Sequence, residues 1–433
     1  MITPGHLRMS LRLLTAIAAT ALVAGTARAD ARAETARDVI DGYADLALAK
    51  YGDSLSAARA LDTAIDAFVD APSAATHDAA KGAWLDARVP YQQTEAYRFG
   101  NAVVDEWEGK VNAWPLDEGM IDYVDTAFYG EESAENGFYR ANIVANPTLE
   151  VAGTTVDASK ITPELLERLH EIDGVEANVA TGYHAIEFLL WGQDINGTGP
   201  GAGERSHTDY DLADCTNGHC ERRAAYLVAA SELLVSDLEE IVAAWEEGGA
   251  ARTDLDGQSD AMGIATILTG LGSLGYGELA GERMQLGLIL HDSEEEHDCF
   301  ADNTHNSHFH DAQGIDNVYR GRYTALDGTE VAVPSLSALA RDVDPDLDAE
   351  MSDRLDATMA AMSVMKARAD DGIESYDQMI GYGNDEGNAV VQDAIDALVD
   401  QTRTIESLVA ALGTGDISIE GSDSLDDPSA VFQ

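Results

Sequence analysis

Residues 178–194 read NVATGYHAIEFLLWGQD, and this stretch decides how the fold and the function are interpreted. A Thr-Pro helix-start signal and apolar residues at helical spacing predict one helix over residues 162–191. Residues three apart on a helix share a face, so His184 and Glu187 are expected to project side by side. Such a pair also fits a helix-surface contact. Its apolar neighbours instead predict burial, where an imidazole and a carboxylate need a partner or a ligand and together form half of a metal site.

The same stretch contains Gly-x-His-x-x-Glu, the hallmark of the imelysin family. Two further stretches fit that family, one in which residues 87–100 lead into residues 112–118 and 121–124, and one at residues 296–305. The second resembles the second-half motif of the iron-regulated protein A branch. These segments occur in family order and cover most of the predicted mature chain. The chain therefore resembles the imelysin proteins. The resemblance implies an all-α fold of two helical-bundle domains, related by pseudo-symmetry, with the functional site at their junction.

The resemblance also implies which residues complete that site. It adds Glu95 to His184 and Glu187 as a third metal ligand. Other residues are expected to lie in a polar cleft or behind the ligands, namely Arg98, Asp117, Asp122, Arg283, His297, Asp302, Asn303 and His305. The residues themselves leave alternatives open. Glu95 and Arg98 also fit a surface ion pair on a helix, and Asp302 with Asn303 also fits a local turn or helix cap.

Imidazole and carboxylate ligands suit iron, zinc or copper, and the family resemblance favours iron. The expected ligand is a metal ion or a metal chelate. The expected partners are components of iron uptake in the inner or outer membrane, so the chain is interpreted as an imelysin-like protein of iron uptake or homeostasis.

Two other functions remain as alternatives. Imelysin was named as a metallopeptidase, but a zincin requires His-Glu-x-x-His, and neither that motif nor its inverted form occurs here. The sequence therefore favours a binding protein over an enzyme. The third class is a non-enzymatic binding module for a haem, a siderophore or an anionic sugar. The absence of Cys-x-x-Cys-His disfavours haem, although a single histidine is also able to bind it.

Residues 1–29 are predicted to be a signal peptide, with two arginines before a short apolar run and an Ala-x-Ala cleavage site that ends at Ala29. The mature chain is therefore expected to be periplasmic or secreted, and no later segment is apolar enough to span a membrane. Removing this segment deletes three arginines and no acids, so the formal charge moves from −53 to −56. That charge excludes nucleic acid as a default partner and fits a surface adapted to salt.

Helical periodicity predicts the organisation of the remaining chain. The expected domains are residues 30–221, which carry the His-x-x-Glu motif, and residues 222–413, followed by a flexible acidic tail at 414–433. Long helices are predicted near 33–71, 74–99, 162–191, 222–247, 259–290, 345–370 and 388–412. The histidine-rich region 291–311 is read as a loop around a second metal or substrate cluster, or as a purely structural one.

The chain has three cysteines. Cys215 and Cys220 enclose a turn-like loop and are a candidate disulfide in an oxidising compartment. Their alternative, a metal pair with His219, lacks further ligands at suitable spacing. Cys299 is then left over, and it is expected to be a buried thiol.

Overall fold

The structure is a computed structural model that describes residues 10–130, 133, 136–151 and 153–432, with side chains from residue 36 onward except that of Thr154. The predicted signal peptide therefore lies outside the described side chains, and its first nine residues lie outside the described chain. Helices dominate the described residues, which confirms the all-α prediction. Among those residues, no helix has the length and apolar character needed to cross a membrane.

Helices α1 to α17 follow one another in chain order and span Ser10–Asp70, Ala74–Gln92, Ala102–Asn112, Glu118–Ile121, Thr126–Tyr129, Pro163–Leu169, Gly182–Trp191, Cys220–Trp245, Ala250–Asp256, Asp260–Ser273, Leu286–Leu290, Thr304–Arg320, Leu336–Val343, Pro345–Asp370, Tyr376–Ile380, Asp385–Leu412 and Asp423–Asp426. A π-helix, Leu274–Gln285, joins α10 to α11. Short 3₁₀ helices span Glu95–Tyr97, Ile172–Gly174, His207–Asp209, Ser293–Glu295, Cys299–Ala301 and Ala430–Phe432. The described strands form two antiparallel hairpins, in which β1 pairs with β2 and β3 with β4 over Thr148–Val151, Thr154–Asp157, Arg322–Thr324 and Glu330–Ala332.

The core is built around α7. Helix α1 packs on α2, α8 and α10, and α14 packs on α16 and α12. Helix α7 lies among α2, α3 and α8, and each of its ten residues is buried. The buried hydrophobic side chains form one continuous cluster. The His-x-x-Glu motif is therefore held in the middle of the molecule by packing from several helices.

The single helix predicted over 162–191 is wrong. Helix α6 ends at Leu169, and Glu171 and Asp173 then adopt left-handed backbone angles, with φ of 51° and 62°. Helix α7 begins at Gly182, whose φ is 80° and whose position leaves no room for a side chain, because a Cβ there would lie 2.4 Å from the carbonyl oxygen of Val111. Apolar spacing alone does not reveal such a break, since the residues on both sides still face the core.

The histidine-rich region also differs from its prediction as a loop. Its second half is helix α12, Thr304–Arg320, which carries His305, His308 and His310. Its buried residues include polar side chains, those of Thr304, His305, Ser307, His308, Asp311 and Asn317. The helix predicted over 259–290 is continuous, but its middle is the π-helix, which changes the direction of the side chains that follow.

The predicted flexible tail contacts the π-helix region. The backbone N–H of Glu420 donates to Ser273 at 3.1 Å, and the hydroxyl of Ser424 donates to the carbonyl of Gly281 at 2.9 Å. The tail's mobility stays a prediction, as do the domain boundaries and the pseudo-symmetry. Cys215 and Cys220 form a disulfide with their Cα atoms 6.0 Å apart, and Cys299 is a buried thiol.

Candidate metal site

The first part of the site is the pair on α7. His184 and Glu187 are fully buried, and Nδ1 of His184 lies 3.1 Å from Oε2 of Glu187. The other carboxylate oxygen of Glu187 accepts a hydrogen bond from the backbone N–H of Ala301 at 2.9 Å. Nε2 of His184 is buried without a hydrogen-bond partner. Glu187 therefore orients the ring and leaves the second nitrogen free, as a carboxylate does behind a metal-binding histidine.

The second part comes from the segment that precedes α12. Oδ1 of Asp298 lies 4.0 Å from Nδ1 of His184 and 3.7 Å from Nδ1 of His297. The two imidazole rings meet edge to face with centroids 4.7 Å apart, and Trp114 packs against both. In the described part of the chain, these three residues are the only trio of potential ligands whose atoms lie within 4.8 Å of one another. They are called the His-His-Asp cluster below.

Asp298 is held firmly by its neighbours. Nη2 of Arg88 donates to Oδ1 of Asp298 at 2.7 Å, while Oδ2 accepts hydrogen bonds from Asn303 at 2.8 Å and from the hydroxyl of Ser307. Nη2 of Arg88 also lies 3.3 Å from Nδ1 of His297. A guanidinium only donates, so this nitrogen of His297 carries a lone pair, which is the group a metal would also use.

The pKa values suit metal binding. Burial lowers the pKa of His184 and of His297 well below the ordinary value, and nearby arginine charges lower both further. Both imidazoles are therefore neutral at neutral pH, as metal ligation requires. Burial, reinforced by the charge of Asp298, raises the pKa of Glu187 well above its ordinary value. Burial opposes ionisation of Asp298, but the Arg88 guanidinium holds its pKa below the usual range.

Glu95 contacts Arg283 and not the His-His-Asp cluster. Nη2 of Arg283 lies 2.8 Å from Oε2 of Glu95 and 2.7 Å from Oε1 of Glu278, and Nη1 lies 3.2 Å from Oδ2 of Asp311. One guanidinium thus bridges three carboxylates. The other oxygen of Asp311 is buried without a partner. The role of Glu95 as a metal ligand stays a prediction, and in this structure its carboxylate belongs to an ion-pair cluster.

Arg98 extends that ion-pair cluster towards solvent. Its Nη1 lies 3.6 Å from Glu108 and 3.5 Å from Glu278, and its Nε lies 3.3 Å from Asp105. Burial raises the pKa of Glu108 to about 7, and the charge of Glu95 adds to this effect. The ion-pair cluster therefore contains more carboxylates than guanidinium groups, and one carboxylate is close to its protonation point at neutral pH.

Two other predicted cleft residues lie in separate networks. Asp117 accepts a hydrogen bond from the amide of Asn136. Asp122 accepts from Arg205 at 2.8 Å and from Nη2 of Arg223 at 3.1 Å. Among the described residues, no contact joins either carboxylate to the His-His-Asp cluster. Asp122 instead forms a buried structural ion-pair network.

The remaining candidates lie around the segment between His297 and α12. Asn303 supports Asp298 directly through its side-chain amide. Asp302 adopts a left-handed backbone with φ of 52°, and its Oδ1 is buried without a partner. His305 faces Asp370, with Nε2 3.5 Å from the carboxylate. Of these three residues, only Asn303 contacts the His-His-Asp cluster.

A cavity of about 540 Å³ opens beside the cluster. His297, Trp114 and Asn112 line the part next to the cluster, and Arg98 and Arg283 also line the wall. The remaining wall is rich in glutamate, with the side chains of Glu108, Glu171, Glu176, Glu278, Glu282 and Glu295. The cavity connects the surface to one ligand of the cluster.

Sequence reasoning does not single out Asp298, Arg88 or Asn112, although all three lie inside the segments that resemble the family. A signal for Arg88 exists. It follows Trp84 by four residues and precedes Tyr91 by three, so it occupies a core-facing helical position, and all three residues are buried. A buried arginine predicts a buried carboxylate partner. The sequence does not show which carboxylate that is, because Asp298 lies 210 residues away.

Comparisons with known proteins identify the family and the fold. The model of the imelysin family matches residues 47–405. Iron-regulated protein A of Synechococcus elongatus is 30% identical over 102 residues, which are 23% of this chain and 29% of that protein. The matched part thus spans less than a third of that relative's length.

Two solved structures share the fold. An iron-regulated protein A precursor from Parabacteroides distasonis has a TM-score of 0.62 at 18% identity, covering 88% of this chain and 95% of that one. An imelysin-like protein from Psychrobacter arcticum has a TM-score of 0.55 at 17% identity, covering 90% and 97%. Because the family model matches most of its length, the chain belongs to the imelysin family.

Proposed function

We propose that this protein binds a metal ion at the His-His-Asp cluster, with His184, His297 and Asp298 as ligands and Glu187 orienting His184. The observation that carries the proposal is the buried cluster itself, in which two neutral imidazoles and a carboxylate offer ligand atoms within 4.8 Å of one another. Nε2 of His184 is in addition buried without a hydrogen-bond partner. Leaving a buried polar nitrogen without a partner costs about 1–3 kcal/mol, which a bound metal would offset.

The charge around the cluster supports the same proposal. The buried centre contains more carboxylates than guanidinium groups, the acids being Glu95, Glu108, Glu187, Glu278, Asp298 and Asp311 and the bases Arg88, Arg98 and Arg283. The histidines add no charge when they are neutral. Burial raises the pKa of Glu108, Glu187 and Asp311, and a bound cation would favour their ionised forms and be neutralised by them.

Arg88 is the main competitor of the metal. Its guanidinium already neutralises Asp298 and occupies the lone pair of His297. The proposal therefore requires the contact between Arg88 and His297 to break when the metal binds. Asp298 would then contact both the metal ion and the guanidinium of Arg88. Asn112, which accepts from Nη1 of Arg88 at 2.7 Å, keeps the guanidinium close by.

Iron is the favoured cargo, and uptake or homeostasis the favoured role. The name of the Synechococcus elongatus relative supports the link to iron, while the ligand set would equally accept zinc or copper. The predicted signal peptide, and the word precursor in the name of the Parabacteroides distasonis protein, support export to the periplasm. Partners among membrane iron-uptake components are part of the same proposal.

The test is elemental analysis and metal titration of protein purified without chelators. Loss of one ligand is expected to weaken binding at least about tenfold, or about 1.4 kcal/mol, in His184→Ala and in His297→Ala. His310→Ala is the matched control, because His310 lies on α12 with its Nδ1 bound to Gln313 and outside the cluster. Equal affinity in the wild type and both cluster variants would exclude this site.

The same preparation tests the peptidase alternative. Binding alone predicts no cleavage of unfolded protein substrates that survives rigorous purification. Cleavage that stops with a chelator, returns with zinc and is abolished by Glu187→Gln would instead establish a metallopeptidase.

A further inference from the structure

The cavity beside His297 has two zones with different charge pairing. In the inner zone, Arg283 is paired with Glu278 at 2.7 Å, and Arg98 lies 3.6 Å from Glu108. The positive charge of each arginine is neutralised, because Arg283 also contacts Glu95 and Arg98 also contacts Asp105. The inner zone is thus neutral or acidic despite its arginines.

The outer zone consists of four glutamates without a lysine or arginine partner, and Glu171 lies 3.9 Å from Nε2 of His170. Glu171, Glu176 and Glu282 are exposed, and Glu295 is partly buried. In the described part of the chain, no lysine or arginine lies within ion-pair distance of any of the four. These four residues are called the glutamate rim.

Asn112 provides a second, independent feature of the cavity. It is 2% exposed and lines the cavity wall, and its Nδ2 has no hydrogen-bond partner. Its orientation is fixed, since Oδ1 must face the guanidinium of Arg88, which only donates. A buried donor without a partner indicates that the cavity accommodates an oxygen-bearing ligand such as water.

We infer that this cavity is the entrance to the His-His-Asp cluster and that the species admitted is a hydrated divalent metal cation, not an anionic chelate. The inference rests on the proposed metal-binding function. It adds the chemical class of the ligand, a hydrated cation, and the path by which the ligand reaches the cluster. Its basis is the juxtaposition of the glutamate rim, which has no lysine or arginine partner, with His297, which belongs both to the cavity wall and to the cluster.

Electrostatics and volume both favour this class of ligand. A cavity lined by charges of one sign concentrates the oppositely charged ion and raises its association rate. About 540 Å³ holds a metal ion with its water shell, since one water occupies about 30 Å³. A chelate that carries carboxylates would meet the same rim as like charge, and the two arginines that would attract it are already paired.

The experiment compares a rim variant with a surface control. Glu171→Gln, Glu176→Gln and Glu282→Gln are combined in one protein, and three exposed glutamates outside the cavity are changed in the other, at Glu247, Glu350 and Glu406. Stopped-flow fluorescence, with Trp114 as the reporter beside both histidines, follows association of zinc ion, a redox-stable hydrated cation. Ferric citrate is the anionic chelate in the second arm.

At low ionic strength the rim variant is expected to bind zinc at least about threefold more slowly, with an unchanged dissociation rate, while the control retains the wild-type rate. The difference should disappear near 1 M salt, where the Debye length is about 3 Å. Ferric citrate should gain, not lose, association rate in the rim variant.

Other outcomes overturn the inference. Equal zinc rates in the rim variant and the wild type, or equal slowing in the control, would show that the rim does not guide the ion. Faster association of ferric citrate than of zinc in the wild type would reverse the substrate class. If the wild type binds no zinc, or binds it equally well as His184→Ala, the proposed function has failed, whereas intact His184-dependent binding with unchanged rates refutes only this inference.

Discussion

Two buried charge networks in this molecule differ in one informative respect. In the first, Asp122 and Asp209 meet Arg205 and Arg223, so the numbers of acids and bases are equal. Asp122 alone accepts three hydrogen bonds from the two arginines. The second network, around the His-His-Asp cluster, contains twice as many carboxylates as guanidinium groups and leaves Nε2 of His184 unpartnered.

The difference separates structure from function. The balanced network pairs each of its charges and stabilises one conformation, although Nε and Nη2 of Arg205 are buried without a hydrogen-bond partner. It has no unpaired carboxylate for a cation. An unbalanced network leaves buried groups with unmet interactions, which is unfavourable unless something binds or the groups change protonation state. Both regions contain buried carboxyl groups, so the presence of acids in the sequence does not distinguish them. The distribution of arginines does.

The largest effect is expected from breaking the balanced network. Asp122→Ala removes the shared acceptor of two buried guanidinium groups and leaves them unpaired, which should lower the free energy of unfolding by about 3–5 kcal/mol. Chemical denaturation measures this loss. Metal affinity of the protein that remains folded should be unchanged.

A surface ion pair provides the control. Glu239→Ala disrupts the exposed contact with Arg59 and should cost less than about 1 kcal/mol. A small effect of Asp122→Ala, or a large loss of metal affinity, would show that Asp122 acts in the site and would remove the contrast between the networks.

The second effect concerns the unbalanced network and its ligand. Metal at about 100 times its dissociation constant should stabilise the folded protein by about 2.7 kcal/mol through binding to the native state alone. Calorimetry with and without a chelator, across a sodium chloride series, measures this gain.

The gain should be absent in His184→Ala and should change little with salt, because the site is buried. Metal held instead by the acidic surface of this highly charged chain would stabilise His184→Ala as well and would dissociate as salt rises. That result would show that the surface, and not the His-His-Asp cluster, binds the metal.

The sequence predicts the helical class and the central motif because both depend on local periodicity. The match of α14 and α16 with their predicted ranges illustrates this, since their apolar residues repeat without interruption. The break between α6 and α7 was not predictable in the same way. It depends on left-handed residues and on the close approach of Gly182 to Val111, which is a tertiary contact.

The site was predicted only in part, for a related reason. His184 and Glu187 are neighbours on one helix, so spacing reveals their contact. Asp298 and Arg88 meet across 210 residues, and no spacing rule connects them. Asp122 and Glu95 are carboxylates of equally suitable chemistry, but the arginines that neutralise them come from distant helices.

The smallest effect is expected from a single carboxylate at the edge of the unbalanced network. Burial raises the pKa of Glu108 to about 7, so the folded state binds more protons than the unfolded state between about pH 4.5 and pH 7. The contribution of Glu108 to stability is therefore present at low pH and is lost as the pH rises through 7. Relative to Glu108→Gln, the wild type should lose about 1 kcal/mol between pH 6 and pH 7, measured by denaturation at each pH.

Glu239→Gln is the matched control for this measurement, because Glu239 is exposed and pairs with Arg59 on the surface. Its pH profile should run parallel to that of the wild type. If the pH profile of Glu108→Gln is also parallel to that of the wild type, Glu108 is ionised over the whole pH range. Its negative charge is then balanced by Arg98, 3.6 Å away. The unbalanced network would then carry one more full negative charge at neutral pH. It would attract a cation more strongly than it does when Glu108 is partly protonated.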